Sequence, residues 1–157
     1  MRQDKLKSVA MEIAKAMEQA AVNSHKMTPK DVISTYDNIE SLFLSKLSGY
    51  PDQFIEVKRR VAEWKFFLLS ERNLPFEDIF QLYEAISKVG FTNLEREANV
   101  EICLSRYFLL IDRPEEAEAV LKKLLHKLVS ALSSGDIEPY KSLKHEVEVF
   151  LSKIRRE

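Results

Sequence analysis

Glycine is nearly missing from this chain of 157 residues: the 3 present, Gly49, Gly90 and Gly135, stand far apart. A loop that cradles phosphates needs glycines in close succession, because only bare backbone comes near enough to the ligand, so nucleotide binding of that kind is excluded. Each glycine instead follows a stretch of helical period and reads as its terminator. Cysteine is rarer still. Cys103 is the only one, which rules out an intrachain disulfide and leaves a closed zinc site dependent on acids. Inside Val100-Glu101-Ile102-Cys103-Leu104 it reads as a packed side chain rather than a nucleophile, in a protein of the reducing cytoplasm.

The three histidines, His25, His126 and His145, lack the company that metal chemistry requires. Val22, Lys123 and Ser142 stand three residues before them, where a di-iron bundle would place glutamate. No zinc-protease helix motif and no Gly-x-Ser-x-Gly elbow occurs. His25 is expected on a loop surface, and His126 and His145 on the solvated sides of helices. Glu97 and Glu101, one helical turn apart, are expected as solvated acids rather than as a catalytic pair. The sequence therefore predicts no catalytic residue, no cofactor-binding residue, no metal ligand and no cofactor: a protein that is not an enzyme.

Membrane and export signals are also lacking. No run approaches the ~18 uninterrupted apolar residues of a membrane span, and Glu12, Lys15 and Glu18 break the stretch where an export signal would be apolar. Lys and Arg number 24 against 25 Asp and Glu, a net charge of -1, so no chain-wide positive field advertises a phosphate backbone. What remains is a chain that is 45% hydrophobic and 31% charged, a composition that folds. The length suits one domain, 1–157.

The apolar residues recur every three or four positions, which is the period of a helix face. Leu6, Val9, Ala10, Ile13, Met17, Ala20 and Ala21 predict a first helix over about 4–23. Thr28-Pro29-Lys30-Asp31 restarts the pattern with a hydroxyl for an orphan N–H, a proline for the first helical position and an acid for the positive helix end. The second helix carries Val32, Tyr36, Ile39, Phe43 and Leu47, and stops at Gly49. Asp52 opens a third, with Phe54, Val57, Val61, Trp64 and Leu68 in one stripe and Ile55, Ala62, Phe66 and Leu69 widening it. So broad a stripe predicts a central, buried helix. A fourth uses Phe76, Ile79, Phe80, Tyr83 and Ile86 and closes at Gly90.

Thr92 and Glu95 are spaced as a capping box for helix five, which is apolar almost all round from Ile102 to Ile111. Arg113-Pro114-Glu115-Glu116 predicts a tight turn into helix six, since proline disfavours helical geometry in the residue before it. Ala117, Val120, Leu121, Leu124, Leu125, Leu128 and Leu132 form that helix's stripe. Asp136 is the expected cap of helix seven, which turns Tyr140, Leu143, Val147, Phe150, Leu151 and Ile154 inward. The fold class is all-α: about seven helices in antiparallel hairpins over 4–47, 52–90 and 93–133, with a capping helix over 136–156.

A loose repeat underlies the pairs. Residues 29–39 can be laid on residues 76–86, sharing Asp31 with Asp78, Tyr36 with Tyr83 and Ile39 with Ile86, and residues 116–125 fit the same frame with Ala117 opposite the two aspartates. In the third copy Leu104, Ser105, Phe108, Asp112, Ala117, Leu121 and Leu124 place small and aromatic residues where two helices touch. This stretch of about 30 residues resembles the tetratricopeptide repeat. The resemblance implies a right-handed stack of helical hairpins whose first helices line a concave surface for a partner peptide or helix. A helical bundle is the alternative architecture.

Charge is uneven along the chain. Residues 1–70 carry 11 basic and 9 acidic groups, residues 71–120 carry 5 and 11, and residues 121–157 carry 8 and 5. The middle, with Glu71, Glu77, Asp78, Glu84, Glu95, Glu97, Glu101, Asp112, Glu115, Glu116 and Glu118, offers an acidic surface to a basic partner. Lys122, Lys123, His126, Lys127, Lys141, Lys144, Lys153, Arg155 and Arg156 would merge into a basic face if helices six and seven are neighbours. Lys58-Arg59-Arg60 reads as a local feature whose alkyl stems cover apolar neighbours. The function expected is a protein–protein interaction module or scaffold. The alternative is a nucleic-acid-associated regulatory protein using the basic C-terminal face. Helix seven is expected to shield the last hairpin, a homodimer through it being the other option.

Overall fold

The computed structural model describes residues 2–134 and 138–156. Among them the fold is all-α, with seven helices and no strand: α1 Arg2–Asn23, α2 Pro29–Leu44, α3 Pro51–Leu69, α4 Phe76–Val89, α5 Leu94–Leu110, α6 Pro114–Ser133 and α7 Glu138–Arg156. Short 3-10 turns extend α1 over Ser24–Lys26, α2 over Ser45–Leu47 and α3 over Ser70–Arg72. Contacts gather the chain into two compact units, Met1–Gly90 with α1 to α4 and Phe91–Glu157 with α5 to α7. The first unit contains the first four helices, the second the last three.

Local chemistry explains most boundaries. The Thr28 hydroxyl accepts the Asp31 N–H at 3.1 Å and Pro29 takes the first helical position of α2. At α5 the capping residue is Asn93, not Thr92: the Asn93 side chain accepts the Arg96 N–H at 2.9 Å. An asparagine caps as well as a threonine and here stands directly before the helix, so the cap falls one residue later than predicted, and with Arg96 at the third helical position it is a single cap and not a reciprocal box. Pro51 rather than Asp52 opens α3, and Asp52 sits in the first turn, where the helix dipole favours its charge. The expected cap Asp136, together with Gly135, lies outside the described residues. Thr28→Ala and Asn93→Ala should each lower stability by about 1 kcal/mol, measured by denaturant unfolding; two unchanged midpoints would show that these caps do not hold their helices.

Among the described residues, three of the helix connections contain a residue at positive φ: Asn73, Gly90 and Asp112. α4 ends at Gly90 with φ 89°, a conformation glycine adopts without a steric penalty. Asp112 carries φ 60° between α5 and α6. Its N–H bonds the Leu109 carbonyl at 3.1 Å, and the Arg113 N–H bonds the Phe108 carbonyl at 2.7 Å. These two bonds satisfy the last carbonyls of α5 and form the tight turn expected before Pro114.

In the first unit α3 packs against α1, α2 and α4, and the wide stripe is the reason. Val57 and Val61 are buried on one side, Ala62, Phe66 and Leu69 on another. Ile55 departs from the expected stripe, being 40% exposed. It shares the Phe66 side of the helix by rotation but lies in its first turns, beyond the cover. Phe80 is also more exposed than expected; only Ile79 and Ile86 of α4 are fully buried, while the Phe80 ring stacks on Phe76 at 5.2 Å and lies 6.4 Å from Tyr83. The buried Tyr36 hydroxyl donates to the Met17 carbonyl oxygen at 2.9 Å, and burial pushes this phenol up to about 12. The Arg72 guanidinium donates to the Met27 carbonyl at 2.5 Å and to the Ser24 carbonyl, tying the end of α3 to the turn after α1.

In the second unit α6 packs against both α5 and α7. Ala117, Leu121, Leu124 and Leu128 of α6 are buried with Leu104, Tyr107 and Phe108 of α5 and with Leu143, Val147, Leu151 and Ile154 of α7. Ser105, also buried, donates its hydroxyl to the Glu101 carbonyl at 3.0 Å.

Candidate functional site

Between α1 and α3 of the first unit lies an apolar groove of about 570 Å³. α1 supplies Leu6, Val9, Ala10, Ile13, Ala14 and Met17, α3 supplies Val57 and Trp64, and Leu47 completes the apolar lining. The two walls have different tasks. Val9, Ile13 and Met17 are buried and form the floor, whereas Ala10 and Ala14 are exposed at the mouth. Two alanines one turn apart leave room that larger side chains would fill. From Leu6 to Met17 the groove follows α1 for about 17 Å at the helical rise.

Charge is confined to the rim, where Glu18, Glu56 and Arg60 line the groove beside Gln53. Glu56 accepts from Arg60 Nε at 3.2 Å and lies 3.6 Å from Arg59 Nη1. Lys58 sets its ammonium over the Phe54 ring at 4.9 Å. The basic run Lys58-Arg59-Arg60 is thus engaged within its own helix, by a carboxylate and a ring.

One turn further along α3 is a residue that the sequence reading passed over. Glu63 is buried, 1% exposed. Burial pushes its carboxyl up to about 7, against the attraction of Arg60 and Arg59 and with a push in the same direction from Glu56. Desolvation penalises the charged form more than the two guanidinium groups relieve it.

The remaining candidates are dispersed. His25, His126 and His145 are exposed, and His25 Nδ1 lies 2.9 Å from the Val22 carbonyl. Cys103 is half-buried. Glu97 pairs with Lys127 of α6 at 2.5 Å. Among the described residues, no group of three or more His, Cys, Asp or Glu could hold a metal ion, and no helix is long and apolar enough to cross a membrane.

The charge blocks read along the chain are redistributed in space. The boundary after Gly90 divides the acidic middle, leaving Glu71, Glu77, Asp78 and Glu84 in one unit and the rest in the other. By count, residues 1–90 carry 13 basic and 13 acidic groups and residues 91–157 carry 11 and 12. Each unit is therefore close to neutral. α6 and α7 are neighbours, as a basic face required. Acids are interleaved there, however: Lys122 and Arg155 share Glu118 at 3.0 and 3.4 Å, and Lys144 lies 3.6 Å from Glu148. The Lys122 hydrogen bond, then Lys122 and Arg155 as charges, hold the Glu118 carboxyl below its ordinary value.

The molecule thus belongs to the all-helical class, with an apolar groove between two helices of its first unit. No family model, no curated protein and no solved structure matches the chain.

Proposed function

We propose that the protein is a non-enzymatic interaction module whose α1–α3 groove receives an amphipathic helix of a partner protein. The observation that carries this reading is the apolar groove itself, open at Ala10 and Ala14 and charged only at its rim. Both walls present side chains at helical spacing, which suits anchors at i, i+3, i+4 and i+7 of a docked helix. Recognition by strand addition needs an exposed sheet edge, and the described residues contain no strand. In this reading α1 with α2 and α3 with α4 are hairpins of the tetratricopeptide kind, and α1 and α3 form the receiving side.

Trp64 makes the reading testable, because it is the only tryptophan of the chain and lines the groove. Amphipathic helical peptides of about 15 residues, ~22 Å long, selected from a display library should change its emission on titration. Ala14→Glu, at an exposed helical position, should preserve the circular dichroism and weaken binding at least tenfold. Selected peptides that leave Trp64 emission unchanged and bind Ala14→Glu equally well would overturn the assignment of the groove.

A further inference from the structure

We infer that the second unit carries its own docking site, a cleft between α5 and α7 that fits an acidic amphipathic helix of a partner protein. α5 and α7 both pack on α6 and meet each other less extensively, which leaves a cleft of about 610 Å³ between them. Its apolar surface comes from Leu109 of α5 and from Val149 and Phe150 of α7. Val149 is 41% exposed, so part of that surface already faces water.

Arg106, His145 and Lys153 line the rim against a single acid, Glu146. Arg106 and Glu146 are 3.6 Å apart, with both side chains largely exposed. A pair of that kind contributes little and exchanges readily, so a carboxylate on an incoming helix can replace Glu146.

Three features favour an acidic helix over a polyanion or a single anion. The positive excess is local, since residues 91–157 as a whole carry 11 basic and 12 acidic groups. The neighbouring Lys122, Lys144 and Arg155 already face Glu118 and Glu148, which weakens the case for a phosphate backbone or an anionic membrane. The cleft also follows α7 from Ser142 to Ile154, about 18 Å at the helical rise, longer than a single anion needs. His145, Val149 and Lys153 follow one another at four-residue intervals, so they lie on one face with an apolar step between an imidazole and an ammonium, both of which offer N–H donors. The complementary ligand has two acids about two turns apart and apolar residues between them.

The full chain is panned against helical peptides of about 15 residues, with apolar anchors fixed and flanking positions free among Asp, Glu, Lys and Ser. The expected result has two parts. Acids are enriched about two turns apart among peptides captured by the wild type, and their binding falls tenfold or more in Lys153→Glu and in Arg106→Glu. Lys-for-Glu exchange in the peptide restores binding to Lys153→Glu. Ala14→Glu leaves this binding unchanged, which separates it from the first groove. No acid enrichment, or capture that survives both charge reversals, overturns the inference. So does equal competition by a 20-nucleotide single strand or by phosphatidylserine vesicles.

Discussion

Glu63→Gln should stabilise the first unit by about 3 kcal/mol above pH 7 and leave its stability nearly unchanged at pH 4. The wild-type carboxyl is pushed from an ordinary 4.5 up to about 7 by burial. Between those values the folded chain keeps a proton that the unfolded chain has lost, so raising the pH favours unfolding by up to about 1.4 kcal/mol per pH unit. The contribution of Glu63 to stability is thus greatest below about pH 4.5, falls as pH rises to about 7 and is level above that. Glutamine has nearly the same shape and no proton to lose, so the variant should not show this slope. Trp64, the adjacent residue, reports the unfolding of the unit directly. Denaturant titrations at pH 4, 5, 6, 7 and 8, followed by its emission, would show the two stabilities diverging. Parallel curves would mean that the carboxyl is solvated.

Leu121→Ala should destabilise the second unit by roughly 2 to 5 kcal/mol. Leu121 is completely buried on α6, on the stripe that faces α5 and α7, so truncation removes apolar contacts and leaves a cavity. Val129 of the same helix is 45% exposed. Val129→Ala is therefore the control and should cost under ~0.5 kcal/mol. Native-state hydrogen exchange of the α6 amides measures both. A cost below ~0.5 kcal/mol for Leu121→Ala would contradict its place in the core.

The helices were legible because their signals are local. A period of three to four residues specifies a face, and caps and prolines specify an end. Tyr36, Ile39 and Phe43 on α2 and Leu121, Leu124 and Leu128 on α6 are buried as their spacing predicts. Register at a helix start was less legible, as Asn93 displaced Thr92 because both residues offer an acceptor. Exposure at the edges of a stripe was less legible again. Ile55 and Phe80 carry the right side chain on helices whose cover does not reach them.

Glu63 marks the limit of that reading. A lone glutamate on a helix ordinarily signals the solvated side, and although Val61, Ala62, Trp64 and Phe66 flank it, Arg59, Arg60 and Lys65 do so as well. Its depth depends on α3 being covered by α1, α2 and α4, and those contacts join residues far apart in the chain. Charge behaved similarly. The acidic middle is continuous in sequence, but the boundary at Gly90 divides it, and Glu118 comes to face Lys122 and Arg155 only when α6 and α7 meet.

By itself the sequence determined the all-α class, most helix boundaries and most of the buried stripe, because period, caps and proline act within a few residues. The tertiary structure alone decided the two units, the groove between α1 and α3, the cleft between α5 and α7 and the depth of Glu63. Each of these depends on which faces meet across long separations, and burial and charge pairing exist only once they do.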